Sequence, residues 1–152
     1  PYYQDFCVDD PAVLPLYEAI CGHGLMLTLH TGFDIAFGRV EKASPRQIAA
    51  VLRQVPTLRL ITTHLGGWQQ WDDVERYLIG HSVYMETSWS LEYLPPEQAR
   101  RMLLNHPAEY LLFGSDSPWT DQGQSIKAIE SLNLPQDRLN RLFYDNARRL
   151  LG

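Results

Sequence analysis

Three residues able to ligate a metal stand at the ends of short apolar runs. His30 follows Leu25-Met26-Leu27-Thr28-Leu29, His64 follows Leu58-Arg59-Leu60-Ile61-Thr62-Thr63, and Asp116 follows Leu111-Leu112-Phe113-Gly114-Ser115. Two imidazoles and a carboxylate suit a borderline divalent ion such as zinc. An ion held there with an open position would lower the pKa of a bound water towards ~7 and polarise a substrate carbonyl. Each residue alone has a plainer reading: a strand-ending Asp caps the next turn, and a strand-ending His hydrogen-bonds its own loop. The set rises above that because all three runs stop the same way, at Thr31-Gly32, Gly66-Gly67 and Ser117-Pro118.

The elements that must position them follow from the periodicity. Apolar runs of strand length bounded by Gly or Pro read as buried strands at 25–30, 58–64, 83–87 and 110–115. Helices are expected at 9–24, with Asp9 or Asp10 as cap and Pro11 in the first turn, at 44–55, 68–79 and 95–105, then at 122–132 and 136–150. Residues 33–43 have no period and read as a loop. Strand and helix alternate throughout, which requires an α/β fold with a mainly parallel sheet. Parallel strands place all their C-terminal ends on one rim, so His30, His64 and Asp116 should converge. His30 and His64 are 34 residues apart, and His64 and Asp116 are 52 apart across two units. That is close to the roughly 31 residues per unit of an eight-unit barrel. Four units make half of one.

Composition narrows the partners. With 45% hydrophobic and 20% charged residues and a net charge of -5, the 152-residue chain reads as a globular domain. Without a basic block it offers nothing to nucleic acid or an anionic membrane, and no apolar run is long enough to span a bilayer. Cys7 and Cys21 are too few and too far apart for a zinc knuckle or disulfide framework, so free thiols and a cytoplasmic setting are expected. His23, His81 and His106 sit beside Gly, Ser or Pro and are expected to be solvated or helix-capping. Glu86 falls out of phase with Met85 and Thr87, taken as inward-facing, and receives no role. The opening Pro1-Tyr2-Tyr3-Gln4 has no initiator methionine and no element start signal, so the sequence reads as a piece of a longer protein.

The strand endings, the phrase Phe113-Gly114-Ser115-Asp116-Ser117-Pro118-Trp119 and the closing Tyr144-Asp145-Asn146-Ala147-Arg148-Arg149-Leu150-Leu151 resemble the amidohydrolase superfamily, in its amidohydrolase-related branch of metal-dependent TIM-barrel hydrolases and decarboxylases. The resemblance implies a (β/α)8 barrel of which this chain holds about four C-terminal units, strands five to eight, as one domain over 1–152. It implies that His30 is the strand-five metal ligand. His64 would be the strand-six histidine that activates water, or binds a second ion in binuclear members. Asp116 would be the strand-eight aspartate that touches the metal and shuttles a proton. Phe33, Trp89 and Trp119 fall in loops on the same rim and are candidates to line a substrate pocket.

Family members also carry a His-x-His pair on strand one, and none occurs here. The expectation is therefore a half-barrel that needs its missing half, or another copy of the chain, to cover the edges of strands five and eight. The function expected is zinc-dependent hydrolysis of an amide, ester or lactone-like bond in a small molecule, with His64 and Asp116 handling protons. A metal-dependent decarboxylase on the same ligands and a non-catalytic half-barrel assembly module are the alternatives.

Overall fold

A computed structural model describes residues 1–152. Four parallel strands, β1 (Met26–Leu29), β2 (Arg59–Thr62), β3 (Tyr84–Glu86) and β4 (Leu111–Leu112), form one sheet in the order β1-β2-β3-β4. Leu29 is registered against Thr62, Thr62 against Met85, and Glu86 against Leu112. Neighbours in sequence are thus neighbours in the sheet, each joined by a helical crossover, as one arc of a barrel requires.

The helices are α1 (Leu14–Gly22), α2 (Pro45–Gln54), α3 (Trp71–Tyr77), α4 (Pro96–Asn105), α5 (Gln122–Ser131), α6 (Gln136–Asn140) and α7 (Asn146–Leu151). Their starts are written in the sequence. Asp10 accepts a bond from Ala12 N at 2.8 Å at the head of a 3-10 turn, Pro11–Val13, that leads into α1. Ser44 and Gln47 form a capping box on α2, whose buried face is Ile48 and Val51. These pack in one apolar core with Leu60, Val74, Met85, Met102, Leu103, Leu111, Ile129 and Leu142. No helix is long and apolar enough to cross a membrane. Cys7 and Cys21 are free thiols.

Four expectations need correcting. The helix expected at 9–24 splits into the 3-10 turn and α1. The helix expected from 68 begins at Trp71, because Trp68 bridges in parallel to Gly32 and Gln69 adopts a positive φ of 57°. The helix expected at 136–150 is interrupted by a π-helical segment, Arg141–Asp145. There the Leu142 carbonyl accepts from Phe113 N at 3.0 Å, and π-turns free carbonyls for such bonds. His106 is not solvated. It is 1% exposed, and its Nε2 bonds the Val83 carbonyl at 2.9 Å beneath β3.

The two ends of the sheet differ. On its outer side β4 is already engaged, since Leu111 O accepts from Asn146 Nδ2 at 2.8 Å and Phe113 N reaches Leu142 O. The bonds of β1 run to the β2 side only.

Candidate metal and active site

Each candidate side chain sits at or beyond the end of its strand. His30 directly follows β1, and His64 opens a 3-10 turn, His64–Gly66, two residues past β2. The backbone of His64 is left-handed (φ 55°), as is that of Leu65 (φ 52°), conformations that a non-glycine residue keeps only under outside constraint. Trp71 Nε1 donates to His64 O at 3.0 Å. Thr31 and Thr63 lock the two strand mouths together: Thr31 Oγ1 donates to Thr63 O at 2.7 Å, and Thr31 N donates to Thr63 Oγ1 at 3.1 Å. Gly32 is the hinge beside them. At φ 83° its backbone lies so close to Trp68 that a Cβ would fall 2.0 Å from Trp68 N.

The result is a facing pair of imidazoles. His30 Nδ1 and His64 Nε2 are 3.3 Å apart, with ring centroids 4.8 Å apart. Their outer nitrogens are both held by backbone carbonyls, His30 Nε2 by Phe33 O and His64 Nδ1 by Ser88 O, each at 3.1 Å. A carbonyl can only accept, so both outer nitrogens carry protons. Burial is the main cause lowering the pKa of both rings. For His30 the Phe33 carbonyl opposes this and His64 adds to it; for His64 the Ser88 carbonyl and then Asp116 oppose it. With both rings neutral at pH 7, two bare lone pairs confront each other.

That arrangement fits a metal ion. Two nitrogens at Zn–N distances on a tetrahedral centre stand about 3.3 Å apart, and ligating histidines regularly donate their far N–H to a carbonyl. Asp116 is half-buried, with a left-handed backbone (φ 58°), and follows β4 through Phe113-Gly114-Ser115. It lines the same cavity as His30 and His64, of about 490 Å³. The three expected ligands therefore share one rim. They are not drawn into a cluster: no three His, Cys, Asp or Glu side chains stand close enough together to hold an ion by themselves.

Phe33, Trp89 and Trp119 also line this cavity. Trp119 is 77% exposed, whereas Trp89 stacks on Trp68 with centroids 5.3 Å apart and an 11° interplanar angle. Sequence reasoning missed Trp68, Asp34 and Glu86. Trp68, expected at the start of a helix, forms a wall of the cavity instead, and its buried indole N–H has no partner. Asp34, in the loop after β1, places Oδ2 3.6 Å from His30 Nε2.

Glu86 is the largest omission. In β3 it is Met85 that points into the core, fully buried, and Glu86 that turns to the mouth. Its Oε1 accepts from His64 N at 2.9 Å and from Ser88 Oγ at 2.5 Å, and its Oε2 accepts from Ser88 N at 2.9 Å. Burial raises its pKa, while the bonds from Ser88 and His64 pull it back. The signal was present: a carboxylate inside a three-residue apolar strand needs buried donors.

The amidohydrolase family model matches residues 4–152. The chain belongs to the amidohydrolase family. Among solved structures, the chain is similar to an uncharacterized TIM-barrel protein of Bordetella bronchiseptica, at 25% identity and TM-score 0.73, over 96% of this chain and 52% of that one. A proposed 2-pyrone-4,6-dicarboxylic acid hydrolase of Pseudomonas putida matches at 22% identity and TM-score 0.67, over 95% and 58% of the two chains. A dihydroxybenzoic acid decarboxylase of a Polaromonas species, solved with bound manganese and an inhibitor, 2-nitroresorcinol, matches at 14% and 0.67, over 95% and 55%. The last two likenesses are of fold. The chain spans about half the length of the solved chains it matches. No curated protein matches it significantly.

Proposed function

We propose that this chain, as the C-terminal half of a barrel, carries the proton-handling side of a metal-dependent hydrolase acting on an amide, ester or lactone-like bond of a small molecule. One observation carries the reading: the facing ring nitrogens of His30 and His64, 3.3 Å apart, with their outer nitrogens tied to carbonyls and Asp116 on the same cavity. His30 Nδ1 would hold a divalent ion, zinc in this reading, with Asp116 on the facing wall and the remaining ligands supplied by the rest of the barrel. The ion would supply Lewis acidity, polarising the scissile carbonyl and acidifying water.

The side chains of this half do the rest. The bond from His64 Nδ1–H to Ser88 O keeps Nε2 bare, either to complete the ligand set or to accept the proton of the attacking water. Where Nε2 completes the ligand set, Asp116 takes the proton of the attacking water instead and returns it to the leaving group. Phe33, Trp68, Trp89 and Trp119 give the cavity apolar walls that orient a small substrate and exclude water.

The test uses the full-length protein. Metal content is measured by mass spectrometry after purification without chelator, and a panel of lactones, esters, amides and carboxylated aromatics is assayed. Stoichiometric zinc with hydrolysis, both lost in His30→Ala, is the expected result. Carbon dioxide release without hydrolysis would transfer the site to decarboxylation, and a metal-free protein inert to the whole panel would refute the reading.

A further inference from the structure

We propose that Glu86 is a positioning residue: its carboxylate fixes the turn that aims His64 Nε2 into the cavity. The role of His64 rests on the function proposed above; that of Glu86 rests on geometry.

Glu86 makes no salt bridge, so its buried carboxylate is satisfied by hydrogen bonds alone. The three donors all belong to the two segments that define the His64 ring. The His64 N–H sets the first residue of the left-handed turn, and the Ser88 N–H and hydroxyl set the residue whose carbonyl takes His64 Nδ1–H. One carboxylate thus holds both the root of the imidazole and the acceptor that selects its tautomer. Ser88 Oγ, which donates to Glu86, also lies 3.3 Å from His64 Nδ1. Space for the carboxylate comes from β4, where Gly114 has no side chain: a Cβ there would sit 1.8 Å from Glu86 Oε2. The mouths of β2, β3 and β4 therefore meet on this one group.

Glutamine in its place matches the shape but turns an amide NH2 towards either the His64 N–H or the Ser88 N–H, setting donor against donor. Aspartate keeps the charge but is one methylene short of reaching all three donors. In either variant the Ser88 carbonyl drifts and the His64 ring loses its tautomer lock.

The experiment is long-range 1H–15N correlation of His64 in metal-free, full-length protein, with zinc affinity measured by chelator competition. The expected result for Glu86→Gln is that the single Nδ1–H tautomer of His64 gives way to a tautomer mixture, with zinc affinity down roughly 10- to 100-fold, the range for outer partners of ligating histidines. Thr62→Val removes a buried hydroxyl bond to Tyr84 O on the same strands and leaves the His64 spectrum unchanged. An intact Nδ1–H signal in folded Glu86→Gln overturns the proposal, as does an equal disturbance in Thr62→Val. Should Glu86→Gln fail to fold, Glu86→Asp decides on the same criterion. A wild-type protein that binds no zinc, yet loses its His64 tautomer in Glu86→Gln, refutes the metal-site reading and leaves the role of Glu86 standing.

Discussion

Acidification should destabilise this protein through His106, which takes no part in the candidate site. Its ring lies 1% exposed between β3 and the end of α4, with Nε2 bonded to Val83 O and a buried Nδ1 that has no partner. Arg138 donates to the carbonyls of Leu103 and His106 at the same spot. Burial, followed at a distance by the Arg138 charge, lowers the His106 pKa from 6.5 to about 4, against the pull of the Val83 carbonyl. Between those values the unfolded chain binds a proton that the folded one refuses, so stability is complete above about 6.5 and falls as pH drops towards about 4. At 1.36 kcal/mol per pH unit, the difference between 6.5 and about 4 amounts to about 3 kcal/mol. The comparison is between the full-length wild type and His106→Gln, whose amide can donate to Val83 O without titrating. Urea unfolding at about pH 7.5 and at about pH 4 gives the stability difference at each, and other titrating groups and any metal loss cancel between the two proteins. The advantage of the wild type should shrink by about 3 kcal/mol on acidification. A difference that stays constant within about 0.5 kcal/mol would refute the reasoning, because the buried ring would then be absorbing its proton without penalty.

Three further outcomes are expected. Gly32→Ala must place a Cβ 2.0 Å from Trp68 N at a positive φ, so it should destabilise by roughly 3 kcal/mol or more, read as a drop in urea midpoint. Asn146→Ala removes the donor shared by Ala108 O and Leu111 O and should cost about 2–3 kcal/mol in the same assay. Trp119→Ala, at a site 77% exposed, should shift stability by less than about 0.5 kcal/mol, with its effect confined to KM for a substrate that the wild type turns over.

The sheet was legible from the sequence because its strands are bounded by glycines and prolines and its helices begin with clear caps at Asp10 and Ser44. His30, His64 and Asp116 were legible because parallel strands put their ends on one rim. Glu86 was not, for a reason of phase: alternation shows which residues share a face but not which face meets the helices, and in β3 Met85 took that face. His106 stands beside Pro107 at a helix end, where a solvated imidazole is the usual outcome. Its burial depends on Val83 and Arg138, 23 and 32 residues away, contacts that local sequence does not announce. The π-helical interruption was hidden likewise: the Leu142 carbonyl within it bonds the amide of Phe113, distant in sequence.

The engaged outer side of β4 gives the sheet a direction of growth. A strand arriving beside β1 meets backbone groups with no partner inside the chain, and each new ladder bond is a net gain. A strand arriving beside β4 can share Leu111 O, which keeps a second lone pair beside the Asn146 amide, but it must displace the Leu142 carbonyl from the single N–H of Phe113, so that bond is an exchange. The two seams of any closed barrel built on this half are therefore chemically unequal. A ladder bond made at β1 adds to the total, whereas one made at Phe113 N replaces a bond to the π-helical segment.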